Sequence, residues 1–234
     1  MLSGDLAALL AETFSVPIGM AALQSKRLRA KGLLSKRGRG PLSGAKMTER
    51  DATNWLLALA IDHRRGEDVA ENVLCVRALP FHHKHELDRD FAGELSFTRA
   101  ETLGGALDAL LRDMRGGGYR QFEHADPAYP LDLTFFLDAE DGEASIVLAR
   151  TRALAGAASW NYRSGSPHAR PVWRHVNIRG AAFEQIAAGL GPITKSDSLE
   201  TRPGDLVAPT DSALSAQSAT PDHPLAPVDL FNDG

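Results

Sequence analysis

Eight basic residues, Lys26, Arg27, Arg29, Lys31, Lys36, Arg37, Arg39 and Lys46, fall between Glu12 and Glu49 with no acid among them. The chain of 234 residues has a formal net charge of −4, so everything outside this +8 block sums to −12. A local positive block on an acidic body suits the neutralisation of a polyanion at a defined place. Lys and Arg displace counterions from phosphates, and an amide or guanidinium can also read a base edge. Gln24 fits bidentate bonding to adenine, and Arg27 or Arg29 to guanine. Lys26, Lys31, Lys36, Arg37 and Lys46 fit phosphate contacts, with Ser25 beside them. Glycines on both sides of Arg39 let the chain follow a backbone closely. The competing reading is a solvated face, or a surface for an acidic protein partner.

A second cluster is FHHKHELDRD, with His82, His83 and His85 beside Glu86, Asp88 and Asp90. Imidazoles and carboxylates at such spacing are able to bind Zn or another transition metal, but no HExxH or cysteine-rich pattern accompanies them. A polar linker is the reading adopted and metal the alternative. Cys75 falls on an expected apolar helix face and reads as a core thiol. His124, His168 and His175 lack an arrangement for acid–base catalysis, and the glycines at 116–118 end a helix instead of opening one. Trp160, Tyr162 and Trp173 alternate with Arg163, Arg170 and Arg174 on expected strands. That pattern suits single-strand stacking, but strand core is preferred. No motif demands an enzyme, and no cofactor is implied.

These residues need elements to hold them. Leu6, Leu9, Leu10 and Phe14 recur at helical spacing, and Ser15-Val16-Pro17 interrupts them. IGMAALQSKRLRAKG predicts a second helix with Met20, Leu23 and Leu28 inward, ended by Gly32. A Gly- and Pro-rich basic loop follows. Thr48 and Asp51 make a capping box for a helix that places Trp55, Leu56, Leu59 and Ala60 inward. A fourth helix stops at Pro80. Further on, GELSF predicts a strand, TLGGALDALLRDMR a helix, and LDLTFFLDAEDGEASIVLAR a hairpin turning at Asp141-Gly142. ASWNYRS and RPVWRHVNIRG predict two more strands, and AAFEQIAAGL a closing helix.

The run LRAKGLL, a basic loop and then MTERDATNWLLALA resembles the winged helix-turn-helix DNA-binding proteins of the MerR type. It is also similar to the N-terminal region of phage- and prophage-associated proteins of alphaproteobacteria. The resemblance covers roughly residues 5–65. It implies that the second helix lies in the major groove and the loop forms a wing. QSKRLR stands where the MerR pattern has an aromatic pair, the second helix is longer, and the C-terminal half matches no MerR effector domain.

The expected class is therefore α+β. A helical, winged helix-turn-helix-like domain over 1–79 is followed by a polar linker over 80–93. An α+β dimerisation or effector domain over 94–191 and a disordered acidic tail over 192–234 complete the chain. From residue 194 on, seven acids face two bases among five prolines, a composition poor in apolar surface to bury. This tail is able to mimic DNA and compete for the basic block. One cysteine, no basic leader before the first apolar stretch and no long apolar run predict a cytoplasmic protein without a membrane partner. The expected partners are double-stranded DNA and further copies of the chain, with a protein partner open through the C-terminal domain or tail. The function this favours is a transcriptional regulator. The alternatives are a phage DNA-packaging recognition subunit and a phage interaction protein that binds no DNA.

Overall fold

In the computed structural model, residues 1–36, 45–61, 68–86, 95–119, 131–138, 142–150, 157–164 and 176–193 are described. Four helices come first: α1 (Ser3–Thr13), α2 (Ile18–Ala30), α3 (Glu49–Ala60) and α4 (Val69–Arg77). Strand β1 (Phe81–Glu86), a 3₁₀ turn at Ser96–Arg99 and helix α5 (Leu103–Arg115) follow. Strands β2 (Leu131–Asp138), β3 (Glu143–Arg150), β4 (Ala157–Arg163) and β5 (Val176–Arg179) then lead into α6 (Gly180–Leu190). The architecture is α+β, with a five-stranded antiparallel sheet in the order β1-β4-β3-β2-β5.

Period-two alternation decides which face of the sheet is dry. Leu133, Phe135 and Leu137 on β2, Ala144, Ile146 and Leu148 on β3, and Ala158, Trp160 and Tyr162 on β4 are all buried. Phe97 of the 3₁₀ turn meets Trp160 edge-on with ring centroids 4.9 Å apart, and Phe183 of α6 meets Phe135 at 6.3 Å. The opposite face, with Thr134, Phe136, Ser145, Val147, Ser159 and Asn161, is only partly covered. Gly142, at φ +64°, makes the β2–β3 turn that the Asp-Gly signal predicts.

Met1–Ile193 form one compact unit, with Thr194–Gly234 assigned to a second that lies outside the described residues. A single core runs from Leu6 and Leu10 through Trp55 and Leu107 to Ile186 and Leu190. The helical segment and the sheet segment share it. Three ties connect elements distant in sequence. Arg77 grips Asp108 with both guanidinium nitrogens, at 3.2 and 2.6 Å. Arg115, 3% exposed, pairs with Glu49 and donates to the carbonyls of Gly191 and Pro192 at 2.7 and 3.2 Å. Asp113 accepts from the backbone of Ser96 and Phe97 and from the Ser96 hydroxyl, capping the 3₁₀ turn.

The structure corrects several expectations. Phe81–Glu86 is not linker but the edge strand β1, paired antiparallel with β4 and bulged between Phe81 and His83. Its tether is Phe81 N–H to the Glu101 carbonyl at 2.8 Å, which fixes the strand next to the start of α5. The strand expected in GELSF is the 3₁₀ turn over its Ser96-Phe97 end, because Asp113 offers those amides a better acceptor than a sheet edge does. Cys75 is exposed, since α4 turns Val69, Ala70, Val73 and Val76 inward. No described helix is long and apolar enough to cross a membrane.

Candidate nucleic-acid interface

Helices α1 and α2 are separated by Phe14–Pro17, and Ser15 takes φ +51° at the turn. The C-terminal end of α2 closes as a Schellman motif. Leu33 N–H reaches the Leu28 carbonyl at 2.9 Å, Gly32 N–H reaches that of Arg29 at 3.1 Å, and Gly32 holds φ +76°. The sequence LRAKGLL has this geometry because only glycine takes that φ without strain.

Helix α3 then holds α2 and the neck of the basic loop through one face. Asp51, Asn54 and Trp55 lie at i, i+3 and i+4 and point the same way. The Trp55 indole N–H donates to the Ala21 carbonyl at 3.0 Å, and Asn54 Nδ2 donates to the Leu33 carbonyl at 2.6 Å. Asp51 works as a clasp. Its Oδ1 accepts the Ser35 amide at 2.7 Å, and its Oδ2 accepts the Ser35 hydroxyl at 2.7 Å. The same Oδ2 takes the Thr48 amide and hydroxyl, both at 2.9 Å, while Thr48 Oγ1 accepts the Asp51 amide at 3.2 Å. One buried carboxylate therefore pins both ends of the segment between Ser35 and Thr48. A short antiparallel bridge from Leu2 to Lys46, with Met47 N–H donating to Met1 O at 3.2 Å, ties the returning strand to the start of α1.

The ten residues nominated by sequence separate into four groups. Lys26, Arg27, Lys36 and Lys46 are exposed. Arg29 and Lys31 are engaged: Arg29 Nη1 donates to Ser25 Oγ at 3.3 Å, and Lys31 pairs with Asp68 at 2.6 Å. Gln24 and Ser25 are the correction. They are 8% and 4% exposed, on the buried side of α2 with Ala21 and Leu28, and not on the side that is open to a base edge. Arg37 and Arg39 lie outside the described residues.

The rotation of α2 has a physical cause. Trp55 approaches close enough to bond the α2 backbone at Ala21, a small residue on the buried side of the helix. Packing against a large indole favours that face over the more apolar one with Met20 and Leu23. Met20 and Leu23, expected inward, are 47% and 48% exposed.

Lys31 and Asp68 join the end of α2 to the start of α4, where Asp68 also caps the Ala70 and Glu71 amides at 3.0 and 3.4 Å. Their hydrogen bond and opposite charges raise the Lys31 ammonium above its ordinary pKa, and the Lys31 hydrogen bond holds the Asp68 carboxyl below its own. The pair is exposed and Lys31 remains open to water.

The other candidate region is the open corner of the sheet, a shallow cleft of about 300 Å³ lined by His82, His83, Phe136, Asn161 and the Glu143–Arg163 pair among others. Arg163 meets Glu143 at 2.9 Å, and Asn161 Nδ2 lies 3.3 Å from His83 Nε2. Its charges are balanced within the site. No group of three or more His, Cys, Asp or Glu side chains is placed to hold a metal among the described residues. Trp160 and Tyr162 point into the core, and burial pushes the Tyr162 phenol above its ordinary pKa. Trp173, Arg170, Asp88 and Asp90 lie outside the described residues.

No protein-family model, curated protein or solved structure matches the chain. The functional reading therefore rests on this geometry.

Proposed function

We propose that this protein binds double-stranded DNA through α2 and the basic loop, as a winged helix-turn-helix regulator of transcription. The observation that carries the reading is the outward face of α2. That helix contains no acid, and it presents Lys26 and Arg27 to solvent with no ion pair to any described residue. Lys36 and Lys46 flank the neck of the loop on the same stretch of chain. The bridge of Leu2 to Lys46 supports the wing: it brings the loop's returning end beside α1, as a wing beside a helix-turn-helix requires. Asp51 supports it further, because a loop pinned at its neck carries its charges to a backbone with less ordering cost than a free one.

The test is duplex binding across a salt series, with wild type beside a Lys26→Ala, Arg27→Ala, Lys36→Ala variant. Three phosphate contacts correspond to a slope of about −2.7 in log affinity against log salt. The expected result is a steep wild-type slope that flattens by about that amount in the variant. No binding by wild type at low salt overturns the reading.

A further inference from the structure

The outward face of α2 carries two kinds of residue. Met20 and Leu23 stand about half exposed, Leu23 one turn and Met20 about two turns before the exposed Lys26 and Arg27. Gly19 and Ala22 lie between and beside them, and space beyond Gly19 is open to at least 4 Å. Large apolar side chains this exposed, clustered on one face, mark a surface that meets something. The inward face is already satisfied by α3 through Trp55 and Ala21, so the helix is not short of a protein neighbour there.

What meets this face is constrained by charge. A two-fold contact centred on this helix would set α2 against α2, bringing like charges together on a helix with no acid to answer them. A DNA major groove answers both halves. Phosphates line its edges for Lys26 and Arg27, and the C5-methyl of thymine is its one apolar feature. The residues toward the N-terminal end of a recognition helix are those that reach base edges. On α2 those are Met20 and Leu23, and with Gln24 and Ser25 buried the amide and hydroxyl readers are withdrawn.

Resting on the DNA-binding reading above, we infer that Met20 and Leu23 select sites by apolar contact with thymine methyl groups, while Lys26 and Arg27 hold the adjoining backbone. Ile18 lies on the other flank and takes no part. Small residues at Gly19 and Ala22 let the helix backbone sink toward the base edges.

The experiment uses the full chain and one 30-base-pair duplex enriched by the wild-type protein from a random pool. That duplex is then remade with deoxyuridine in place of thymidine, which removes only the methyl groups. Wild type is expected to bind the deoxyuridine duplex more weakly, by about fourfold for each methyl buried. Met20→Ala and Leu23→Ala are expected to bring the ratio between the two duplexes toward one while leaving the salt slope in place. Leu74→Ala, exposed on α4, is the control and should leave the ratio at its wild-type value. Equal binding of both duplexes by wild type, with a steep salt slope, overturns methyl reading and leaves the DNA grip standing. Failure of wild type to enrich any duplex, with a steep salt slope, overturns base reading alone, and no duplex binding at low salt removes both. A sedimentation mass that falls in Met20→Ala or Leu23→Ala, with an unchanged duplex ratio, overturns the inference in favour of self-association.

Discussion

Helix α2 and strand β4 both carry residues whose types suggest nucleic acid, and the structure treats them in opposite ways. On β4, Trp160 and Tyr162 alternate with Asn161 and Arg163, and both rings are buried, Trp160 against Phe97 and Tyr162 against Phe81. On α2, the apolar residues Met20 and Leu23 are left outside with Lys26 and Arg27, and the polar pair Gln24 and Ser25 goes in. On the sheet's open face Glu143 and Arg163 pair with each other, whereas α2 has no acid of its own. Apolar and aromatic content alone thus says little about binding. What matters is which periodic set the neighbouring element claims, and whether the other set keeps its charge uncompensated.

The sharpest way to break this contrast is Trp160→Ala. An indole lost from the core should cost ~3–5 kcal/mol, read by urea denaturation. At temperatures where the variant is folded, its DNA affinity should equal wild type; a selective loss of affinity would return β4 to the candidate interface.

Next is Asp51→Asn. The amide has the carboxylate's shape but presents a donor toward Ser35 or Thr48, which are themselves donors, so buried groups lose their acceptor at about 1–3 kcal/mol. The expected outcomes are faster trypsin cleavage between Lys36 and Lys46 and a shallower salt slope. The cleavage is measured without DNA, so unchanged rates dispose of the clasp whatever the ligand proves to be.

Lys26→Ala with Arg27→Ala sharpens the other side. Stability should stay within about 0.5 kcal/mol, since both are surface substitutions. The salt slope should become shallower by about 1.8, the value for two phosphates. A stability loss well beyond that would show that the face is structural.

The smallest effect is expected from Asp68→Asn. Asparagine keeps the cap on Ala70 and Glu71 but frees Lys31 of its charge partner. The DNA salt slope should steepen by up to about 0.9. The pair's contribution to folding has a definite pH window. Asp68, lowered when folded, contributes above the usual carboxylate range and stops contributing as pH falls through its depressed value. Lys31, raised when folded, contributes below the usual lysine range and stops contributing as pH rises through its elevated value. Thermal scans between these limits should show a flat difference between wild type and Asp68→Asn. Because the pair is exposed, that difference should be small.

Much of the local structure was legible. The Thr48–Asp51 capping box, the Gly32 helix stop, the β2–β3 hairpin and the helices over Leu103–Arg115 and Gly180–Leu190 follow from signals within a few residues of one another. The concentration of positive charge was legible, and the orientation of α2 was not. The acid-free stretch picks out Lys26, Arg27, Lys36 and Lys46, all exposed, but Gln24 and Ser25 were placed on the wrong side. Either α2 stripe has helical spacing, and hydrophobicity alone favoured the one that is left in solvent. Asp51 was legible as a cap; its hold on Ser35, sixteen residues earlier, was not. Histidines on β1 looked like linker because an exposed edge strand has no apolar alternation to announce it.

Sequence by itself determined the helices, the hairpin and the concentration of positive charge, because caps, turns and net charge depend on neighbours along the chain. Only the tertiary structure decided which side of α2 faces out. Trp55, over thirty residues away, bonds the Ala21 carbonyl on the side that faces in. It decided as well that Arg115 ties α3 to the end of α6, and that Phe81–Glu86 is a strand. Each of these is settled by a long-range contact in which shape and unsatisfied hydrogen bonds outweigh local preference.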